Sequence, residues 1–319
     1  MKDVVLYLDR LSPEIEQLLL DYCGDEADIR FLEPNIGKKG ELCDATVFFD
    51  TIFRVTKDVV DAAPKLRFIQ RTGVGVDMID LEYVREKGIP VSVARGCNAV
   101  SVAELTVSLM LSLLRHIPQL DRLTKAGRWE DWLYRHSSFE LNGKTVGVIG
   151  AGAIGREVIR RVNAFGAETV YYNRHRLSEG EEHELHTAYA DLDTLLSRSD
   201  LITIHVPLNG ETRGMIRQAQ LERIKRGAFL INTARGPIID QQALYLALKE
   251  HRIAGAASDV YETMPADPQD PLFSLGDDVN FIALPHVGAA TRDTYRRVFA
   301  LCMENLRLLA EGKQPKYLI

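Results

Sequence analysis

Three groups of residues in this sequence have the types and spacing to do chemistry. The first is Gly150-Ala151-Gly152-Ala153-Ile154-Gly155, which follows the aliphatic run 146–149 and precedes Val158, Ile159, Val162 and Phe165 at helical spacing, with Gly166 as the expected C-cap. In a strand–turn–helix setting Gly150 permits a tight turn, Gly152 lets the backbone approach a pyrophosphate, and Gly155 lets helix and strand pack closely. The first helical amides, at Ala153 and Ile154, then face the phosphates. Such a glycine fingerprint is weak by itself, but a further strand expected at 169–172 completes the unit and points to dinucleotide binding. The second group, Asn173-Arg174-His175-Arg176, stands where an NAD site places a carboxylate for the ribose 2′-hydroxyl. Two guanidinium forks suit a 2′-phosphate instead, so NADP(H) is expected; NAD is the alternative if Arg174 and Arg176 are solvated surface charges. The third group is Arg235, fixed by Gly236-Pro237 after the apolar run 229–233, together with His286 after Pro285. A fork at the carboxyl end of a parallel strand suits a carboxylate and a carbonyl, and a histidine transfers protons near neutrality. Taken singly, an arginine paired to a nearby acid and a structural histidine are the commoner outcomes.

Positioning these groups requires a particular kind of scaffold. Short aliphatic runs at 4–8, 29–32, 46–49, 66–70 and 89–93 alternate with helical patterns such as 12–22, and a second series runs 145–149, 169–172, 201–206, 229–233, 254–260 and 281–284. This alternation predicts two doubly wound α/β units with parallel sheets. The chain has 319 residues, enough for two domains, with 46% hydrophobic and 26% charged residues. Its 39 Lys+Arg against 45 Asp+Glu give a formal charge of −6, unlike a nucleic-acid binder. No apolar run reaches membrane-spanning length and Met1-Lys2-Asp3 lacks a signal peptide's apolar core, so a cytoplasmic protein is expected. Cys23, Cys43, Cys97 and Cys302 lie far apart, which argues against a zinc or other metal site and against a disulfide framework. One helix is expected from Ser101 to about residue 126, with Ser101 and Glu104 at capping-box spacing; it is apolar on nearly every face. It serves either as the core helix joining the domains or as a surface buried against a second subunit.

The segments Gly150–Gly155, Asn232-Thr233-Ala234-Arg235-Gly236, Ala257-Ser258-Asp259-Val260 and Leu284-Pro285-His286-Val287-Gly288 occur in an order and at intervals that resemble the D-isomer-specific 2-hydroxyacid dehydrogenases. The resemblance extends to Arg71-Thr72-Gly73-Val74-Gly75-Val76-Asp77, Val102-Ala103-Glu104, Gly127-Arg128-Trp129 and His205-Val206-Pro207-Leu208, and so to nearly the whole chain. Within the family, residues 173–176 are similar to the NADP-using glyoxylate and hydroxypyruvate reductases. The resemblance implies a Rossmann-type dinucleotide domain over 99–286 and a flavodoxin-like substrate domain over 1–98 with 287–319, with the cleft between them. It further implies that Arg235 holds the substrate carboxylate and carbonyl and that His286 is the proton donor. By the same resemblance the amides of Val74 and Gly75 receive the carboxylate, Asp259 holds the nicotinamide carboxamide, and Val206, Pro207 and Thr233 join the cofactor site. Arg71, Phe53 and Arg54 are candidates for the substrate pocket, while Trp129, Trp132 and Tyr134 fit the interface of a homodimer.

One position departs from the family's pattern. The carboxylate that pairs with the histidine stands before a proline, and here Met264 precedes Pro265, five residues after Asp259. A thioether neither favours imidazolium nor holds the ring as a carboxylate does. The expectation is therefore an NADPH-preferring reductase of small 2-oxo acids, of glyoxylate or hydroxypyruvate type. The alternatives are a weakly active or non-catalytic NADP(H)-binding module, and a phosphite- or formate-type dehydrogenase.

Overall fold

The computed structural model describes residues 2–32 and 42–319. The chain divides into two compact units, Met1–Asn98 with Ala290–Ile319, and Ala99–Ala289. Val287–Ala289, expected in the first unit, go with the second because the amides of Val287 and Gly288 are bound there by the buried Asp259.

In the first unit β1 (Asp3–Tyr7), β2 (Ala27–Phe31), β3 (Val47–Asp50), β4 (Phe68–Arg71) and β5 (Val91–Val93) form a parallel sheet in the order β2-β1-β3-β4-β5. Alternate side chains face opposite layers. Val5, Tyr7, Phe49 and Phe68 pack against Val298, Phe299, Cys302 and Leu306 of the helix Arg292–Ala310, while Leu6, Phe48 and Ile69 meet Val60, Val84 and Val91 on the other side. The returning helix is held to the sheet by a buried amide. Asn305 donates to Gln70 Oε1 at 2.7 Å and to Ser92 Oγ at 3.1 Å, and its own oxygen accepts from the Lys316 amide at 2.8 Å.

The second unit has β6 (Thr145–Ile149), β7 (Glu168–Tyr172), β8 (Thr187–Tyr189), β9 (Leu201–Ile204), β10 (Phe229–Asn232), β11 (Gly255–Ser258) and β12 (Phe281–Ala283), ordered β12-β11-β10-β9-β6-β7-β8 and parallel throughout. The chain winds outward from β6 to β8 and then returns to lay β9 on the other side of β6. This reversal opens a crevice at the carboxyl ends of β6 and β9, the usual ligand position in doubly wound folds. The short edge strand β8 went unrecognised in the sequence because Thr187-Ala188-Tyr189 lacks an aliphatic run.

The helix expected as one piece from Ser101 is two, Ala99–Arg115 and Ile117–Lys125, bent by 64°. His116 makes the break: it adopts φ 50°, stacks on Tyr134 at 4.3 Å, and one ring nitrogen lies 3.2 Å from the Ser137 carbonyl. Ser101 is not a cap either. It lies inside the helix, buried, and its hydroxyl donates to the Gly288 carbonyl at 2.7 Å. The first piece carries the core, with Ala103, Met110, Leu113 and Leu114 packed among residues of β6, β10 and the helix Ala153–Ala164. Among the described residues no single helix is long and apolar enough to cross a membrane.

Two glycines separate packing from ligand space. A Cβ on Gly155 would lie 2.0 Å from the Gly150 carbonyl oxygen, whereas one on Gly152 meets nothing within 4 Å among the described residues. Gly155→Ala is expected to lower unfolding stability by at least about 2 kcal/mol through overpacking, and Gly152→Ala by no more than about 1 kcal/mol. Urea denaturation of the two variants checks the contrast.

Candidate active site

The crevice begins with backbone that only glycine allows. Gly150 has φ 101°, and a Cβ there would lie 2.8 Å from the carbonyl carbon of His205, so the turn after β6 rests on the residue after β9. The Ala151 amide donates to Asn173 Oδ1 at 2.8 Å, and Arg156 reaches back to the Ala151 carbonyl at 3.2 Å while pairing with Glu181 at 2.6 Å. Asn173 therefore shapes the glycine loop from the end of β7. The helix Ala153–Ala164 starts with Gly152 at its N-cap, so the unpaired amides of its first turn, at Ala153 and Ile154, head the crevice beside Gly155. Val206 and Pro207 continue β9 along its rim, the Pro207 carbonyl accepting from Thr212 Oγ1 at 2.6 Å. Open space beside Gly152 and these amides fit the diphosphate of a dinucleotide.

The two arginines beyond β7 are paired differently. Arg174 meets Glu211 at 2.9 Å with both side chains about two-thirds exposed (68% and 69%). Arg176 forks onto Glu182 at 2.8 and 2.7 Å, and Glu182 also accepts from the Tyr171 hydroxyl at 2.6 Å. Arg176, with that tyrosine, pulls the Glu182 carboxyl down to about 2, against partial burial. Sequence reading saw no carboxylate here because Glu182 and Glu211 come from later segments.

Arg235, Asp259 and His286 follow the carboxyl ends of β10, β11 and β12, and Met264 reaches the His286 ring. The Arg235 backbone is extended (φ −145°) and its Nη1 donates to the Ala234 carbonyl at 2.8 Å. Asn232 braces the turn, donating to the Arg235 carbonyl at 2.9 Å and accepting from the Ala234 amide at 3.0 Å. Gly236 has no space for a side chain, since a Cβ would lie 2.0 Å from the Tyr261 backbone. The β10 turn is thus pressed against the segment that leads to Met264. Thr233 is buried with its hydroxyl 3.1 Å from Thr106 Oγ1.

Asp259 is fully buried, and its two oxygens accept from the amides of Val287 and Gly288, both at 2.8 Å. Burial pushes its carboxyl above the usual range, partly offset by those amides and that of His286. Wrapping the chain around this carboxylate puts His286 at φ 56°, a left-handed conformation rare for a residue with a side chain. The ring then presents Nδ1 to Met264 Sδ at 3.0 Å. A thioether is a weak acceptor and never a donor, so any hydrogen bond in this contact has Nδ1 as its donor. Met264 occupies the place beside the ring.

In the first unit Val74 is exposed at 42%, on the turn that follows β4. Arg71 is not a pocket residue: with 2% exposure it forms a buried ion pair with the fully buried Asp50 and donates from Nε to the Gly75 carbonyl at 2.8 Å. It holds the Val74–Gly75 turn from beneath. Sequence reasoning missed this pair, and Ser101 as an anchor of the histidine loop, because the partners are 21 and 187 residues apart. His205 follows β9 with one ring nitrogen 2.9 Å from Thr203 Oγ1 and Nδ1 without a partner among the described residues; desolvation drives its pKa from 6.5 to about 3. The ring is neutral at physiological pH. Among the described residues no three His, Cys, Asp or Glu side chains converge as a metal site.

A family model described as "D-isomer specific 2-hydroxyacid dehydrogenase, NAD binding domain" matches residues 107–288. The glyoxylate reductase of Korarchaeum cryptofilum is 38% identical over 311 residues, 97% of this chain and 92% of that protein. The D-3-phosphoglycerate dehydrogenase of Archaeoglobus fulgidus is 41% identical over 259 residues, 81% of this chain; the match spans about half (48%) of that longer protein. Among solved structures, a Staphylococcus aureus NAD-dependent formate dehydrogenase in complex with NAD superposes with a TM-score of 0.86 at 28% identity, over 100% of this chain and 99% of that one.

Two outcomes follow from the geometry. Asp259→Asn replaces one acceptor with a donor facing an amide, so stability is expected to fall by about 1–3 kcal/mol and amide exchange at Val287 and Gly288 to accelerate, read by hydrogen–deuterium exchange. For His205, the unfolded chain takes a proton below pH 6.5 while the native ring stays neutral down to about pH 3. Native stability is therefore lost as pH falls through that window, by up to about 1.4 kcal/mol per pH unit from this group. His205→Gln should flatten that acid limb in denaturation curves taken between pH 7 and pH 4.

Proposed function

This chain belongs to the D-isomer specific 2-hydroxyacid dehydrogenase family, and on that premise we propose that it reduces a small 2-oxo acid at C2 to the D-2-hydroxy acid, with NADPH preferred. The placement of Arg235 and His286 just beyond β10 and β12, the strands that flank the one leading to Asp259, is the observation that carries this reading. A bound nicotinamide dinucleotide supplies hydride to the substrate carbon. The glycine loop and the amides of Ala153 and Ile154 hold its diphosphate, with Val206, Pro207 and Thr233 along the same edge. The Arg235 fork holds the substrate carboxylate and polarises the carbonyl. His286 delivers the proton that the carbonyl oxygen needs. Asp259 acts in this reading by fixing the His286 loop. On the first unit, Arg71 holds the turn that carries the Val74 and Gly75 amides.

NADPH preference rests on Arg174 more than on Arg176. The exposed pair with Glu211 is worth only about 0–1 kcal/mol, so a 2′-phosphate can take that guanidinium over. Arg176 is committed to Glu182 by two hydrogen bonds. Homodimer formation is supported by Trp129 and Trp132, exposed at 81% and 62% beyond the bent helix pair. A cytoplasmic setting is supported by four free thiols. A second reading, a cofactor-binding module without turnover, is favoured by Met264 alone and predicts NADPH binding with no oxidation by any 2-oxo acid.

The deciding assay follows NADPH and NADH absorbance with glyoxylate, hydroxypyruvate and pyruvate. Arg235→Lys is expected to lower kcat/KM by about 10²-fold or more, because one ammonium cannot replace the fork. Arg174→Ser should raise the KM for NADPH about 10-fold or more and leave that for NADH unchanged, as loss of one charge-assisted contact predicts.

A further inference from the structure

NADH and NADPH differ at one oxygen of the adenosine ribose, so a site that takes either must offer an acceptor to a hydroxyl or a cation to a phosphate. The second unit places one of each together. β6 lies between β9 and β7, and its carboxyl end carries the glycine turn. Arg174 follows β7 and Glu211 follows β9, so their ion pair at 2.9 Å joins the two loops that flank this turn. The side chain at the end of β7 is already engaged, since Asn173 Oδ1 accepts from the Ala151 amide at 2.8 Å. Glu182 is engaged as well, with 11% of its side chain exposed and bonds from Arg176 and the Tyr171 hydroxyl. Glu211 is different. Its Oε2 accepts from Arg174, while Oε1 has no partner among the described residues. Local bonds set its backbone: Asn209 Oδ1 accepts from the amides of Glu211 and Thr212 at 2.9 and 3.0 Å, and Thr212 Oγ1 donates to the Pro207 carbonyl.

We propose that Glu211 is a specificity-determining residue of the dinucleotide site: its carboxylate accepts from the ribose 2′-hydroxyl of NADH and repels the 2′-phosphate of NADPH, which Arg174 holds. This rests on the reading of the crevice and of Arg174 given above. With NADH bound, Glu211 keeps Arg174 as its partner and gives its second oxygen to the hydroxyl. With NADPH bound, a phosphate monoester of about −1.5 to −2 charges displaces the single carboxylate from the guanidinium. The exchange is open because an exposed ion pair is weak. The displaced carboxylate stays on its fixed turn, within the range of a charge interaction, and opposes the phosphate. Glu211 thus holds the NADPH preference below what Arg174 alone would give.

The test uses the full chain and two probes that differ only at the 2′ position, 5′-AMP and 2′,5′-ADP, titrated by calorimetry. Glu211→Ala removes the acceptor and the charge from an exposed position. It is expected to weaken 5′-AMP about 3-fold or more and to tighten 2′,5′-ADP by a similar factor, the second effect shrinking at high salt. Glu211→Gln keeps an acceptor, so it should tighten 2′,5′-ADP with a smaller loss of 5′-AMP. With the intact cofactors, the ratio of kcat/KM for NADPH over NADH should rise about 10-fold in Glu211→Ala. In the Arg174→Ser background Glu211→Ala should still weaken 5′-AMP, which an effect exerted through the guanidinium alone would not do. Unchanged 5′-AMP affinity in either background, or weaker binding of 2′,5′-ADP by Glu211→Ala, would overturn the inference while the dinucleotide reading stands. Failure of wild type to bind either probe or either intact cofactor would remove both. The titrations contain no 2-oxo acid, so an absence of turnover counts against the reductase reading and not against Glu211.

Discussion

A single buried carboxylate organises the carboxyl edge of the second sheet. Asp259 has no contact with solvent, and the amides it captures belong to residues 28 and 29 positions later in the chain. A buried carboxylate without donors is strongly unfavourable, so the chain beyond β12 has to turn inward and supply them. The left-handed φ of His286, the absence of a side chain at Gly288, and the hydroxyl of Ser101 on the Gly288 carbonyl all serve that turn. A Cβ on Gly288 would press on the Asp259 oxygen at 3.0 Å. The strain at His286 is thus stored where the surrounding structure over-determines it.

Close backbone approaches do the corresponding work elsewhere in the same unit. Gly236 against Tyr261 brings the β10 and β11 turns together, and Gly150 against His205 brings together the turns of β6 and β9. Neither approach survives a Cβ, which ties the crevice to these glycines more firmly than any side-chain hydrogen bond would. The first unit solves a comparable problem with charge. The Asp50–Arg71 pair is buried, and Nε of Arg71 donates to a backbone carbonyl, so the turn after β4 is held by a group that water cannot reach.

Met264 shows how a neutral substitution can preserve geometry and change chemistry. Its sulfur reaches the ring nitrogen at hydrogen-bond range for sulfur, so the imidazole remains oriented. What a thioether does not bring to the ring is the negative charge of a carboxylate. Orientation and charge are separable properties of a residue that partners a histidine, and this chain retains the first.

Much of the architecture could be read from the sequence because it rests on local patterns. The alternation of aliphatic runs and helical segments gave the two parallel α/β units, and the spacing of Gly150, Gly152 and Gly155 gave the strand–turn–helix. Motif order pointed to the Asp259 and His286 segments, which the structure joins through the Val287 and Gly288 amides. Three features lay beyond such reading. β8 has no aliphatic signature, and His116 breaks a helix whose apolar pattern runs straight through it. The polar partners were invisible for a different reason. Glu182 and Glu211 reach the arginines, Asp50 reaches Arg71, and Ser101 reaches the histidine loop across sequence separations of 6 to 187 residues. Residue types and spacing determine which groups a chain carries and which elements bear them. Which carboxylate neutralises which cation, and which side chain partners His286, depend on directional contacts a few ångströms long, and only the packed tertiary structure sets those distances.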